Sequence, residues 1–538
     1  MEYKQAGWLP HLLETVPIEA RKNQTSMYTI ALEGWRRGLS LKFYNLNQDN
    51  KLQIRYSLSY KDKTHYFNGS YGDMISEEAV EICEDKSMTS IHLLNAGVPI
   101  PKGKRFGAEE TDEEIVQYGK KIKFPLVVKP TNGRAGRGVV ANIKNEFELK
   151  DALFHIRQEL MFDEILVQQY VAGEEVRVFV LGDRVLGAAN RRPANVIGDG
   201  VSTIKTLINE KNEFRKYIPH LYFRPIKIDK EVKNSIQSAG YSIDSIPEKG
   251  ERLMLRKISN VSQGGDPVDV TQKLSTEQKT IAINATKAIP GLAHCGVDMI
   301  LNNDNNSAKV LELNTKPGIG SHLFPIEGTA IDIPKELVDF YFPETKGIKT
   351  NESNVYFDFR SIQDPLNGRS TIEIEVAPTV SKRLIAKKYI IHGDIELMGF
   401  YRWLQRRVFA QNLNGFIKRI DDKHIEIVIA GTQIKDVDNF KDVLKERNKK
   451  IDVVSEENWE KPIKIGFELI DGYNTLSARE LEVELKQMEK DIKSTQKEQH
   501  RLEHRIRLMR QSRTWKLTVP IRNLMNVIRR VKLGIQKG

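Results

Sequence analysis

Between residues 86 and 344 helix-like stretches alternate with short apolar runs, FPLVVKP, EILVQQY, VRVFVLG and KVLELN. That alternation restricts the segment to an α/β or α+β enzyme fold. A chain of 538 residues exceeds what one core supports, so three or four folding units are expected. Residues 1–85 mix a helical stretch, MYTIALEGWRRGL, with β-rich runs, LKFYNL and LQIRYSLSY, and hold no catalytic motif. After the Pro- and Gly-punctuated residues 343–347, a compact α+β unit is expected over 351–471, with WLQRRVFAQNL as a helix. Forty per cent hydrophobic and 8% aromatic residues exclude disorder. Cys83 and Cys295 are too few for a disulfide framework or a zinc site. The first residues lack a basic segment followed by an apolar core, and no apolar run reaches the roughly eighteen residues of a span. A cytoplasmic location is expected.

The net charge of +11 is concentrated in one place, because residues 501–538 hold eleven Lys or Arg and one acid, Glu503. From 477 to 511 apolar residues recur at Leu481, Leu485, Met488, Ile492, Leu502, Ile506 and Met509, with Thr495 and Gln499 at two further seam positions. This spacing fits a coiled coil mediating self-association, or a single helix lying on another domain. In the tail, 512–538, Leu517, Ile521, Leu524, Met525, Ile528 and Val531 form one helical face, with Arg522, Arg529, Arg530 and Lys532 elsewhere. That face suits an anionic membrane surface, which would make the protein peripheral on the inner membrane face, or docking on protein. Nucleic acid would leave the apolar face without a purpose.

The chemistry-bearing residues lie in the alternating region. In VVKPTNGRAGRGV a strand delivers Lys129 into a loop with Gly133, Gly136 and Gly138. Glycine amides approach an anion closely, and Lys129, Arg134 and Arg137 add positive charge, so phosphate binding is the first expectation. In VLELNTKPGIG, Glu312 and Asn314 are two apart on a strand and therefore face one side, with Asp298 on the CGVDMIL strand. Hard oxygen ligands from neighbouring strands suit magnesium completed by nucleotide phosphates.

Residues 86 to about 328 resemble the ATP-grasp module of cyanophycin synthetases and related bacterial amino-acid ligases, through DKSMTSIHLLNAGVPIPKG, VVKPTNGRAGRGV, RRPANVIGDGVSTIKTLI, GERLMLRKISNVSQGGDPVDVT, CGVDMIL and VLELNTKPGIGSHLFP. The resemblance implies an ATP-grasp fold and an ATP- and Mg2+-dependent ligase, with Mn2+ as an alternative ion, joining an activated carboxylate to an amine. It assigns Lys86, Lys129 and the loop of Gly133, Arg134, Gly136, Arg137 and Gly138 to the phosphates. Gln168, Gln169, Tyr170 and Val171 take the adenine, although Gln168 stands where an acid is frequent. Asp298, Glu312 and Asn314 take magnesium, and Arg256, with Asn260 nearby, takes the transferred phosphoryl group. Arg177 is a further polar contact. The implied substrates are an amino acid, a peptide or a cell-envelope precursor, but residues 1–85 do not name them. Unlike cyanophycin synthetases, the chain shows no second ligase domain with a GKT-like loop.

The 351–471 unit resembles an acylphosphatase, a ferredoxin-like sandwich, through Gly393, Phe400, Gly415 and IEIVIAG. The family's arginine after the phenylalanine is Tyr401, Arg402 comes one residue late, and Arg419 replaces the family's asparagine. A shift of one residue in a tight anion loop turns the guanidinium away, so a binding or structural role is expected before hydrolysis. The whole reads as a multidomain α+β protein. Its competing readings are an acylphosphatase with an accessory ATP-binding domain and a non-catalytic ATP-binding scaffold at the membrane.

Overall fold

The computed structural model describes residues 7–470 except 22, 49–50, 132–137, 257–260, 303–305, 380–382, 394–396 and 448–451, together with Ile492. The expected coiled coil and basic tail, 477–538, lie outside the described residues apart from Ile492. Contacts divide the chain into two units, residues 1–416 with 427–468, and residues 417–426 with 469–538. The second unit is described only in part: residues 417–419 and 424–426 are strand, and Asp421 Oδ1 between them accepts from the amides of Lys423 and His424.

Within the first unit, the helix Thr25–Arg36 is buried along nearly its whole length. It packs under the antiparallel strands Ser40–Gln48, Lys51–Tyr60 and Lys63–Asn68, whose inward residues Phe43, Tyr56, Leu58 and Phe67 alternate as a half-buried sheet requires. The sheet is not built from residues 1–85 alone. The strand Glu373–Val376, expected in the smaller unit, pairs with Ser40–Gln48 through Leu41 and Val376, and Phe357 and Phe359 enter the aromatic core beside Tyr28. A four-residue strand has too little surface to form a core of its own, so its partner is set by tertiary packing rather than by chain position.

Two sheets follow. The four-stranded sheet runs in the order Gly103–Phe106, Ile165–Gln169, Leu126–Pro130 and Val140–Ile143, over the buried Ile115, Leu149, Leu153 and Val167. The carboxylate sheet runs Asp266–Asp269, Arg184–Arg192, Glu174–Leu181, His294–Asn302 and Ser307–Asn314, every neighbouring pair antiparallel. The helix Thr276–Lys287, with a Ser275–Gln278 capping box, packs Ala282 and Ala285 against one face of it. In the smaller domain Ile385–His392 lies between Asp452–Asn458 and the strand containing residues 427–431. The helix Leu397–Ala410 buries Leu397, Phe400, Leu404 and Val408, a three–four spacing that makes one apolar stripe.

Candidate active site

Pleat alternation sorts the carboxylate sheet into two faces. Val176, Val178 and Val180, then Cys295, Val297, Met299 and Leu301, enter the core under the helix, so Glu175, Arg177 and Asp298 face the other way. On the last strand Ala308 and Val310 are in that core, and uninterrupted alternation would send Glu312 and Asn314 after them. It is interrupted: Asp298 pairs with Glu312 but Met299 pairs with Val310, leaving Leu311 as an extra residue. This bulge resets the phase, so Leu313 takes the core and Glu312 and Asn314 join Asp298 on the polar face.

Asp298 lies between Arg177 on one neighbouring strand and Glu312 on the other. Arg177 Nε and Nη2 each donate to an Asp298 oxygen at 2.6 Å, a bidentate pair. Arg191 reaches Asp298 Oδ1 and Glu175 Oε1, both at 3.4 Å. Burial raises the Asp298 pKa, but Arg177, aided by Arg191, outweighs it and holds the carboxyl below its ordinary range. Glu312 lacks such a clamp: burial, then the Asp298 charge, push it up. Glu312 therefore holds a proton more readily than a free carboxylate. Oδ1 of Asp298 thus takes both arginines, while Oδ2 takes Arg177. Asn314 Oδ1 accepts from the Lys316 amide at 2.9 Å. Two carboxylates and an amide oxygen suit a magnesium ion that retains waters and phosphate ligands. Among the described residues no group of three His, Cys, Asp or Glu is disposed to hold a metal.

Lys129 comes from the four-stranded sheet, where the strand Leu126–Pro130 turns Leu126, Val128 and Pro130 inward and leaves Lys129 on the opposite side. Burial and the neighbouring Lys86 push its ammonium down to about 8, while Glu312 and Glu175 act in the other direction. Lys86 is placed by helix capping. Asp85 accepts from the Ser87 and Met88 amides and starts the helix Lys86–Asn95, and Lys86 Nζ donates to Thr131 O at 3.1 Å, at the entry of the glycine loop. Lys86 thus lies beside Lys129, and Lys129 has Glu312 and Glu175 within its electrostatic reach.

Residues 83–218 and 256–340 match the model of the RimK-like ATP-grasp domain. The chain carries a RimK-like ATP-grasp domain. Residues 387–469 match the acylphosphatase model. Over 330 residues the chain is 31% identical to the glutathione biosynthesis bifunctional protein of Clostridium perfringens, covering 59% of this chain and 41% of that one. Over 325 residues it is 30% identical to the cyanophycin synthetase of Trichormus variabilis, covering 59% and 35%. The crystal structure of a bifunctional glutathione synthetase from Pasteurella multocida aligns with a TM-score of 0.44 at 30% identity, over 54% of this chain and 40% of its own. The chain spans less than half the length of these curated relatives.

Within the ATP-grasp domain, Gly138 has φ +77°, and a Cβ there would lie 2.8 Å from Pro130 Cγ, so the loop can close onto the Lys129 strand only as glycine. Gly133, Arg134, Gly136, Arg137 and Asn260 lie outside the described residues. In the segment expected to take the adenine, Gln168 is buried, the Gln169 amide donates to Lys102 O, and the Tyr170 amide donates to Pro125 O at 2.9 Å; Val171 follows, half-buried. Arg256 is buried and pairs with Asp229 and Glu231 at the start of the helix Lys230–Ser238, while its Nε donates to Gln263 O. The principal positive charges acting on Asp298 and Glu312 are Arg177, Arg191 and Lys129, and Arg256 is not among them. Glu175 and Arg191 were not anticipated from sequence. The clue was an ionisable residue two before Arg177 in EEVRVFV, and an arginine ending the otherwise small-residue strand LGAANRR. A separate cavity of about 650 Å³, walled by Trp8, Tyr217, Tyr222 and Phe324, contains none of these groups.

In the acylphosphatase-like domain Tyr401 stacks on Phe467 and donates to its carbonyl oxygen, and Arg402 is exposed. Arg419 is half-buried and belongs to the second unit.

Proposed function

We propose that the chain is an ATP- and magnesium-dependent carboxylate–amine ligase that forms an amide or peptide bond through an acyl phosphate. The observation that carries this reading is that Lys129, with Lys86 beside it, lies within electrostatic reach of Glu312, the strand partner of an Asp298 held ionised by Arg177. A carboxylate repels nucleophiles until an oxygen of it attacks the γ-phosphorus and ADP departs. An amine then attacks the acyl carbon, phosphate leaves, and the amine nitrogen gives up a proton. Phosphoryl transfer asks the protein for alignment and charge neutralisation rather than covalent work. Lys86, Lys129 and the glycine loop bind the phosphates. Asp298, Glu312 and Asn314 would hold magnesium, or manganese in its place, and the ion when bound neutralises phosphate oxygens. Arg177 and Arg191 keep Asp298 and Glu175 oriented. Arg256, with Asn260, is assigned to the phosphoryl group from the family resemblance, and Gln168 to Val171 to the adenine.

Family likeness to ligases of amino acids and peptides supports an acid and an amine of that kind, cell-envelope precursors included. The test is ADP release screened against amino acids, dipeptides and envelope precursors, with mass spectrometry of the product. Release that needs neither acid nor amine would reject the reading. Among the described residues no helix is long and apolar enough to cross a membrane. The basic tail supports peripheral binding to anionic membranes, and the 477–511 pattern supports self-association. Pelleting with anionic liposomes that is lost at high salt, and lost in a chain ending at Gln511, tests the tail; equal pelleting of both chains rejects it.

A further inference from the structure

The N-terminal sheet has an outer face that meets the ATP-grasp domain at one loop. In its register Tyr44 pairs with Arg55, Ser57 with Tyr66, and Asn68 with Tyr71. Because Phe43, Tyr56 and Phe67 fill the core, Tyr44, Arg55, Tyr66 and Asn68 share the opposite face. At the Asn68 end, the turn docks on the NTKPG loop. Lys316 Nζ donates to Asn68 Oδ1, Ser70 Oγ donates to Pro317 O at 2.6 Å, and Tyr56 OH donates to Gly69 O at 2.9 Å. Gly69 has φ +66°, the left-handed region that favours glycine, and Lys316 Cε packs directly against it. The same loop ties Lys316 to the carboxylate sheet, since its amide donates to Asn314 Oδ1.

Lys316 is exposed, and no carboxylate among the described residues pairs with its ammonium. A second cation lies beside it: Lys316 is bonded to Asn68, which follows Phe67, the strand partner of Tyr56, so Arg55 is the next residue across the ladder on the same face, where Gln53 Oε1 accepts from it at 3.0 Å. Two cations brought together beside a site repel one another, and an anion between them turns that repulsion into attraction. Tyr44 and Tyr66, packed edge to face, wall the outer side. The location matters as much as the charge: Lys316 is two residues beyond Asn314, where the reacting end of a substrate would meet the nucleotide.

We propose that Lys316 and Arg55 form an anion subsite that holds a second, non-reacting carboxylate of the acid substrate, so that the preferred acid carries two carboxylates. This rests on the ligase reading for the reaction but not for binding. The test uses the full chain without ATP and titrates succinate, glutarate, L-aspartate and L-glutamate against L-asparagine and L-glutamine, with inorganic phosphate as a simple anion. At least one diacid should bind tenfold or more tightly than its amide or phosphate. Lys316→Ala and Arg55→Ala should each weaken that diacid at least tenfold with the ATP Kd and the melting temperature unchanged, and Lys316→Arg should restore most of the affinity. Binding of no diacid, equal binding of diacid and amide, phosphate binding as tight as the diacid, or unchanged affinity in both variants would overturn the subsite. A failure of the ligase reading looks different: diacid binding survives while no acid and amine together release ADP.

Discussion

Asp298 and Glu312 stand opposite each other on antiparallel strands, and the next step of that ladder skips Leu311. The skip keeps Glu312 out of the apolar layer containing Val310 and sets it against a carboxylate already claimed by Arg177. One bulged residue thus decides whether Glu312 shares the polar face of Asp298 or lies as a buried unpaired acid.

The Arg177–Asp298 pair makes a stability prediction. The Asp298 side chain is 5% exposed and that of Arg177 17%, so removing one partner leaves a charge uncompensated in a largely dry site. Arg177→Met should destabilise the protein by about 3–5 kcal/mol, read from the urea midpoint. Adding Asp298→Asn to that variant should recover most of the loss. An unchanged midpoint in Arg177→Met would mean the pair does not bear on the fold.

Lys129 predicts a pH profile. Its ammonium is pushed down to about 8 by burial and Lys86, so below that pH it is charged and ATP meets its full positive partner. Above it, binding must take up a proton, and ATP affinity should fall by up to tenfold per pH unit. Lys129→Arg stays charged and should flatten the profile between about pH 7 and 9.5. A flat profile in the parent protein would remove Lys129 from the phosphate site.

The smaller domain should be a poor acylphosphatase. Tyr401 fills the arginine position of the family loop and is spent on Phe467, while Arg402 points to solvent from the helix Leu397–Ala410. Benzoyl phosphate turnover by the full chain should equal background and be indifferent to Arg402→Ala. Turnover that falls in that variant would show the loop working one residue out of place.

How far the sequence reaches is visible at these same residues. Glu312 and Asn314 share a face, as two-residue spacing on a strand implies, but which face depended on Leu311, and bulges leave no mark in composition. Lys86 and Lys129, 43 positions apart in the chain, meet because a helix cap and a strand pleat each obey local rules. Glu175 and Arg191 went unnoticed because their meeting depends on the register of separate strands, a long-range property. The strand Glu373–Val376, within the residues expected as the smaller unit, shows the same dependence: its partner, Ser40–Gln48, lies more than 300 residues earlier.

The central claim is that Glu312 belongs to a metal site serving acid activation, and ADP release measures it most directly. With an acid and amine found by screening, the parent should form ADP and amide in equal amounts and only with a divalent cation. Glu312→Ala should lose at least a hundredfold in rate while keeping its melting temperature, since the acid contributes chemistry more than packing. Undiminished ADP and amide formation by Glu312→Ala would contradict the account.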